Sequence, residues 1–426
     1  MNQRTIIEGG RVMDPANAID GVHNLYLAEG RIVAVGHCPD GFQADYTINA
    51  KGLIVCPGLV DLSVHLREPG QEHKATIASE IRAAATAGIT TLCCSPDTHP
   101  TIDSAAVVNL VRERASQAGR VKVLPVGALT RALNGRDLSD MSALKQAGCL
   151  VVSNAYHPVA NPLVLRRALE YAASYGLLVV IRPENPDLAD QGCVHEGAYG
   201  TRLGLPGIPH AAETVAVSEV LALIEDTGAR VHFSQISSGR AVSMIRYARS
   251  QGIAVSADVA AHQLHLTEAC IEHFDPLYHL RPPLRSEADR QALCQSVEDG
   301  VITAICSSHQ PHEPDAKLDT FPATEPGIAA LETLLPLTLD RVEQGELSLM
   351  TAIAALTRHP ARILGIDAGH LSPGAPADIC LFDPEALWTV NASTWRSQGW
   401  NTPYWGATLK GRVTHTLIDG TLVTQK

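Results

Sequence analysis

The sequence predicts an α/β protein: a (β/α)8 TIM barrel with a small β-sandwich domain formed by both termini. Seven times between residues 88 and 306, a helical pattern ends in glycine and a short apolar run follows at once. One more strand candidate, Leu59–His65, precedes the first helix, and a helical pattern over 328–344 follows the last strand. Eight strand–helix units in roughly 290 residues is the size of such a barrel. Counting does not establish closure, so an open, doubly wound sheet stays the alternative.

The seven glycines fit the left-handed position just past a helix, where the missing Cβ removes the steric cost. They are Gly88, Gly119, Gly148, Gly176, Gly228, Gly252 and Gly300. The runs that follow are rich in Val, Ile and Leu, as expected of strands buried on both faces. These predicted strands cover 89–94, 121–126, 149–153, 177–181, 231–236, 253–257 and 301–306. Amphipathic stretches at 161–175 and 211–226 predict two of the helices between them.

The two ends of the chain carry short β signals instead of this rhythm. We therefore predict that residues 1–56 and 368–426 together form the small β domain and that residues 57–367 form the barrel. The predicted terminal strands are Thr5–Ile7, Asn24–Leu27, Arg31–Val35, Asp378–Phe382 and Val413–Val423. Two long polar connections, 183–210 and 308–327, follow the fifth and eighth barrel strands, at the face where barrel active sites form.

Composition and charge exclude several classes of function. Lys plus Arg number 33 and Asp plus Glu 45, for a net charge of −12, so the chain lacks the basic surface of nucleic-acid and anionic-lipid binders. No apolar run reaches the ~20 residues of a membrane span, and Met1–Thr5 lacks the apolar stretch of a secretion signal. Ten cysteines occur without a C-x-x-C pair, which favours a reduced, cytoplasmic setting.

Polar residues cluster where the predicted barrel strands end. Ser63 and His65 point to the same side of the first strand, but a neutral serine hydroxyl is a poor metal ligand. On the eighth strand, His309 and His312 are three residues apart and no carboxylate precedes them. Arg182 and Glu184 close the fifth strand and can pair, since a buried arginine without a carboxylate would be costly.

Several motifs together resemble the dihydroorotases of the amidohydrolase superfamily. The resemblance spans nearly the whole chain and implies the barrel and two-ended β domain predicted above. The matching segments are Pro57–Asp61 with His65–Glu72, Gly204–Pro209 with Ala212 and Glu213, Pro282–Arg285, His309–His312, Gly327 through Glu332 and Thr333, and Asn401–Pro403 with Gly406.

The resemblance implies ring closure of carbamoyl aspartate to dihydroorotate, and the reverse, on one or two zinc ions. At the positions that match the family's metal ligands and proton shuttle, however, only one histidine is retained. These positions hold Ser63, His65, Asn154 (within Ser153–Ala155), Arg182, Gln235 and Ser308. Of the implied substrate contacts, Arg67 and His312 persist, whereas Asp97 and Arg281 replace asparagines.

These departures predict that the chain is a pseudoenzyme with no catalytic or cofactor-binding residues and no zinc. A catalytic zinc needs about three protein ligands. A fixed guanidinium such as that of Arg182, about 4 Å from a divalent ion, costs roughly twice the ~4 kcal/mol of a unit-charge pair at an effective dielectric constant of 20. The positions named above are then vestigial.

The resemblance further implies a partner. Some dihydroorotase-like subunits assemble with aspartate transcarbamoylase, and we expect this chain to support assembly or activity of that enzyme in de novo pyrimidine biosynthesis. The segments 183–210 and 308–327 are candidate contacts. Two other functions stay open: an active cyclic amidohydrolase that uses His65, His262, His265 and His309, and a ligand sensor that retains Arg67 for a carboxylate without turnover.

Overall fold

The computed structural model describes residues 4–425. Met1–Gln3 and Lys426 lie outside the described residues. They fall in the predicted terminal domain, and Met1–Gln3 are also part of the segment Met1–Thr5 that was compared with a secretion signal. The segments near both termini form one eight-stranded sheet with its own apolar core, as predicted. Its strands are Thr5–Asp14, Ile19–Ala28, Arg31–Gly36, Tyr46–Asn49, Ile54–Pro57, Ile379–Thr389, Thr408–Ile418 and Thr421–Gln425. The exact domain limits at residues 56 and 368 stay a prediction.

The middle of the chain is the predicted parallel barrel. Its strands, in chain order, are Leu59–Val64, Ile89–Cys94, Lys122–Pro125 continued by Gly127–Ala128, Val151–Ser153, Leu178–Ile181, Val231–Phe233, Val255–Ala260 and Ala304–Cys306. Each strand pairs with the next in parallel. The barrel closes where His65 N donates to His309 O (2.9 Å) and His309 N donates to Ser63 O (3.1 Å). The open-sheet alternative is therefore wrong.

Helices surround the barrel. They are Ile77–Thr86, Ala105–Ala118, Met141–Gln146, Pro162–Ser174, Pro186–Ala189, Ala198–Leu203, His210–Thr227, Gly239–Ser250, Glu287–Glu298, Leu334–Glu343, Leu349–Leu356 and Arg358–Leu364. Polar side chains start several of them: the Asn161 and Ser238 side chains accept hydrogen bonds from first-turn amides. Among residues 4–425, no helix has both the length and the apolar character needed to cross a membrane.

Two cores lie on either side of the barrel wall. Small apolar side chains such as Val60, Leu62, Val151 and Leu178 fill the inside of the barrel. A larger cluster joins the outer side of the strands to the helices. The first strand is irregular between Asp61 and Val64, and at its end the consecutive residues Leu62, Ser63, Val64 and His65 all border the inside of the barrel.

Several local predictions differ from the structure. The predicted strand Val413–Val423 is two strands, Thr408–Ile418 and Thr421–Gln425, because Asp419 and Gly420 turn the chain between them. Gly119 is extended (φ 171°), whereas the other six glycines of the series have the predicted positive φ. The sixth strand ends at Phe233, because Gln235 turns the backbone into the left-handed region (φ 58°). The last predicted helix begins at Leu334, since a 3₁₀ turn over Leu331–Thr333 precedes it.

Candidate active site

The ends of the barrel strands surround a small cavity of about 50 Å³ inside the barrel. Ser63 and His65 line it from the first strand, Arg182 from the fifth and Gln235 from the sixth. Tyr156, two residues after Asn154, also lines it. The structure thus brings together most of the positions that the sequence placed at the mouth.

A chain of hydrogen bonds crosses this mouth. The Tyr156 hydroxyl donates to Gln235 Oε1 (2.8 Å), and Gln235 Nε2 donates to Ser63 Oγ (2.8 Å). The side chain of Ser308 also bonds to Tyr156. Burial raises the pKa of the Tyr156 hydroxyl, so this phenol is neutral and able to donate at pH 7. Gln235 and Ser308 lie at positions that match the family's metal ligands, but in this chain both bond to Tyr156.

Arg182 pairs with a carboxylate that a second arginine also binds. Its guanidinium makes two hydrogen bonds to Glu184, of 3.0 and 3.1 Å, and its Cζ lies 4.4 Å from the centre of the Tyr156 ring. Arg281 Nε donates to both Glu184 carboxylate oxygens at 3.0 Å. The pairing of Arg182 with Glu184 that the sequence suggested is therefore confirmed, and Arg281 joins it.

His65 faces a carboxylate. Its Nδ1 lies 3.0 Å from Asp97 Oδ1, an ion-pair distance without hydrogen-bond geometry, and the His65 side chain is only 3% exposed. Burial opposes ionisation of Asp97, but His65 and Arg67 outweigh it and hold the pKa of Asp97 well below its usual range. Asp97 is therefore an anion at neutral pH.

The two retained substrate-contact residues touch each other. Arg67 Nη2 lies 3.1 Å from His312 Nε2, and Arg67 Nε donates to the Pro311 carbonyl (3.1 Å). Burial, together with the charges of Arg67 and Lys74, lowers the pKa of His312 to about 2, so its imidazole is neutral. Arg67 is consequently the cation of this pair.

Asn154 has a structural role. Its Oδ1 accepts hydrogen bonds from the Thr130 amide (3.1 Å) and hydroxyl (2.9 Å), and its Nδ2 donates to the His157 carbonyl (2.8 Å). These bonds fix the loop after the fourth strand. The same loop carries Tyr156 to the mouth.

The side chains at the mouth do not fit the metal of a dihydroorotase. Of the positions that match the family's ligands, His65 alone presents a good zinc donor, while the others hold two hydroxyls, two amides and a guanidinium. The amide of Gln235 and the hydroxyl of Ser63 are already bonded to each other, and Arg182 brings a positive charge. We therefore derive no catalytic step through a metal at these positions.

The alternative set of four histidines does not assemble either. His309 Nε2 lies 2.8 Å from Glu80 Oε2 in a fully buried pair. His265 Nε2 donates to the Leu337 carbonyl (2.7 Å). Within residues 4–425, the group of three or more potential metal ligands that lie close together is a different one, His195, His210 and Asp289.

Comparison with solved structures defines the fold class of the chain. The chain shares its whole fold with "L-Hydantoinase (Dihydropyrimidinase) from Arthrobacter aurescens" (TM-score 0.89, 24% identity, 100% of this chain and 97% of that one). It is similar to dihydropyrimidinase from Brevibacillus agri (TM-score 0.87, 22% identity, 99% and 95%). These likenesses show an amidohydrolase fold.

Sequence comparison then gives the family: the chain belongs to the dihydroorotase-like amidohydrolases. A "Dihydro-orotase-like" family model matches residues 52–241, and an "Amidohydrolase family" model matches 336–424. The chain is 48% identical to "Dihydroorotase-like protein" of Pseudomonas aeruginosa, with 98% of both chains covered. It is 49% identical to the protein of that name from Pseudomonas putida (97% of both) and 42% identical to "Dihydroorotase" of Syntrophotalea carbinolica (98% of both).

Two predictions from the sequence are contradicted by these comparisons. The chain was expected not to be an enzyme, yet relatives covering nearly its whole length are named dihydroorotase and its structural neighbours are hydantoinases. Zinc was expected to be absent, yet such relatives are typically metal-dependent. The error lay in giving most weight to the ligand positions of the family and less to the alternative of an active cyclic amidohydrolase.

Sequence reasoning missed two features of the site. Tyr156 was not singled out, although an aromatic residue just past the fourth strand is a usable signal in a barrel whose strands end at the mouth. Outside the barrel cavity, the group of His195, His210 and Asp289 was also missed, because its members come from the short strand Val194–His195 and two separate helices.

Proposed function

We propose that this chain is a cyclic amidohydrolase that interconverts a ring amide and its open-chain acid, with dihydroorotate and carbamoyl aspartate as the substrate class. The observation that carries the proposal is full-length similarity to dihydroorotases: 42% identity to that of Syntrophotalea carbinolica over 98% of both chains. The site residues identified by sequence define where the substrate binds.

His65 is the proton-transfer group of this proposal. It lines the cavity, and its Nδ1 faces Asp97, so Nε2 is the nitrogen left to exchange a proton with substrate or water. The anionic Asp97 stabilises the positive charge that His65 gains when it accepts that proton. Arg67, whose charge lies close to Asp97, is the group that holds a substrate carboxylate.

Turnover of dihydroorotate by the purified chain tests this proposal. We expect hydrolysis above the buffer rate, and at least 100-fold slower hydrolysis by His65→Asn, because general acid–base groups contribute about 10²–10⁴-fold. The matched control is His370→Asn, since His370 pairs with Asp367 at the surface and should leave the rate unchanged. Absence of turnover of both dihydroorotate and hydantoin would refute the assignment.

We also propose that the chain associates with the catalytic subunit of aspartate transcarbamoylase. The family resemblance supports this association, and so do the two long connections at the barrel mouth, which expose apolar side chains. Leu188 in the segment 183–210 is 40% exposed, and Leu318 in the segment 308–327 is 77% exposed. Apolar side chains exposed on long loops are suited to contact another protein.

Co-purification with aspartate transcarbamoylase from the same organism tests the association. We expect the two proteins to co-elute and expect Leu318→Glu to weaken the complex at least tenfold, because it places a charge in an apolar contact. Val22→Glu is the control, as Val22 is similarly exposed (72%) on the sheet of the termini. Separate elution of the wild-type proteins, with transcarbamoylase activity unaffected, would disprove the association.

A cytoplasmic location belongs to the same proposal. All ten cysteines are free thiols, and eight of them are buried. Unpaired cysteines in this number are typical of a reducing compartment.

A further inference from the structure

Three potential metal ligands that do not line the barrel cavity lie together. His195 lies in the segment after the fifth strand, His210 begins the helix His210–Thr227, and Asp289 lies in the first turn of Glu287–Glu298. One ligand atom from each lies within 4.8 Å of the other two. His195 and Asp289 are buried, with 5% and 7% exposure.

The contacts around Asp289 orient one oxygen toward the histidines. Asp289 Oδ1 accepts a hydrogen bond from the Gly239 amide (3.0 Å), while Oδ2 lies 3.0 Å from His210 Nε2. The rings of His195 and His210 are nearly perpendicular, with centroids 4.6 Å apart. Metal sites use such outer hydrogen bonds to hold their ligands in place.

The two ring nitrogens of His195 have different surroundings. Its Nδ1 faces Arg285 Nη1 at 3.0 Å, close to the Ile208 carbonyl, to which Arg285 Nη1 also donates (2.7 Å). In the tautomer whose Nδ1–H donates to the Ile208 carbonyl, the lone pair is on Nε2, and Nε2 is then the atom available to a metal.

A second carboxylate lies beside this group. Glu268 Oε2 is buried and accepts no hydrogen bond from the described part of the chain. It borders Gly197 together with His195: a Cβ at Gly197 would lie 2.3 Å from Glu268 Oε2 and 2.8 Å from His195 Cδ2. Glycine at this position keeps the space between the two side chains open. A buried carboxylate oxygen without a partner is costly unless a cation or a donor satisfies it.

We propose that His195, His210 and Asp289 bind a divalent transition metal such as Zn²⁺, with Glu268 as the fourth ligand. Two imidazoles and a carboxylate form a known zinc donor set with one open position. Arg285 repels the ion with one positive charge, but Asp289 and Glu268 attract it with two negative charges. This site is separate from the family's metal positions and does not depend on the proposed reaction.

Titration of the metal-stripped full-length chain with Zn²⁺ tests the site. Calorimetry should show one equivalent bound, and His210→Gln and Glu268→Gln should each weaken binding, the former at least tenfold. His370→Gln and His65→Asn are the controls, and both should bind as the wild type does. Because the side chain of His210 is 21% exposed, its replacement is compatible with folding, which circular dichroism verifies.

Cobalt(II) provides a second readout that does not depend on activity. Its visible d–d bands should appear on binding to the wild type and change in both His210→Gln and Glu268→Gln, since both alter the ligand set. The proposal is overturned if the wild type binds no Zn²⁺, or if binding persists in His210→Gln and is lost in His65→Asn instead.

Discussion

Replacing Glu184 by glutamine is expected to destabilise the folded protein by about 3–5 kcal/mol, because breaking a buried ion pair leaves an uncompensated charge. Glu184 is 6% exposed and binds both Arg182 and Arg281. The change would leave the buried Arg182 guanidinium without its carboxylate. Urea unfolding followed by circular dichroism measures the loss.

The matched control is Glu272→Gln. Glu272 pairs with Arg202 at 2.8 Å, but both side chains are more than half exposed, at 51% and 56%. Exposed pairs contribute about 0–1 kcal/mol. Equal losses in the two variants would contradict a central role for burial in the Glu184 pairs.

The effect of Glu184 should depend on pH. Burial alone would raise its pKa, but Arg182 and Arg281 hold the pKa at about 2, below the ordinary value of 4.5. A carboxyl whose pKa is lower in the folded than in the unfolded protein stabilises the fold fully at pH values above the unfolded-state pKa. This stabilisation is lost as the pH falls toward the folded-state pKa. The stability difference between wild type and Glu184→Gln should therefore be largest near pH 7 and shrink between about pH 4.5 and pH 2.

Glu80→Ala is expected to lower the free energy of unfolding by a similar amount, about 3–5 kcal/mol, because it leaves the buried His309 without its carboxylate partner. Glu80 and His309 are both fully buried and 2.8 Å apart. Glu80 Oε1 also accepts hydrogen bonds from Ser79 Oγ (2.7 Å) and the Gln398 amide (3.0 Å). The carboxylate thus joins the first barrel helix, the eighth strand and the C-terminal segment.

Thermal and urea unfolding of this variant provide the measurement. Glu80→Gln should lose less than Glu80→Ala, since its amide oxygen still accepts a hydrogen bond. Glu225→Ala is the surface control, because Glu225 is exposed on the helix His210–Thr227. A loss below about 1 kcal/mol in Glu80→Ala would mean that solvent reaches His309.

The barrel could be predicted from sequence because its signals are local. A glycine such as Gly176 ends a helix and an apolar run starts at once, so each unit is visible within about 30 residues. The pairing of Arg182 with Glu184 was likewise predictable, since they lie two positions apart at one strand end.

The side chains that occupy the barrel mouth could not be predicted from such local patterns. Tyr156 reaches it because Ala155 adopts a left-handed backbone (φ 49°) and because Gln235, 79 residues away in sequence, accepts its hydroxyl. His210 and Asp289 are also 79 residues apart. Contacts of this kind depend on how strands and helices are placed around the closed barrel, which no local pattern encodes.

The sheet made from both ends of the chain has a consequence for synthesis on the ribosome. Strand Ile54–Pro57 pairs with Ile379–Thr389, which is translated only after the entire barrel. At about 5–20 residues per second, the early strands wait on the order of tens of seconds for their partner. During that interval their edge is open, so a nascent chain stalled before residue 379 should be a substrate for chaperones that bind exposed strands.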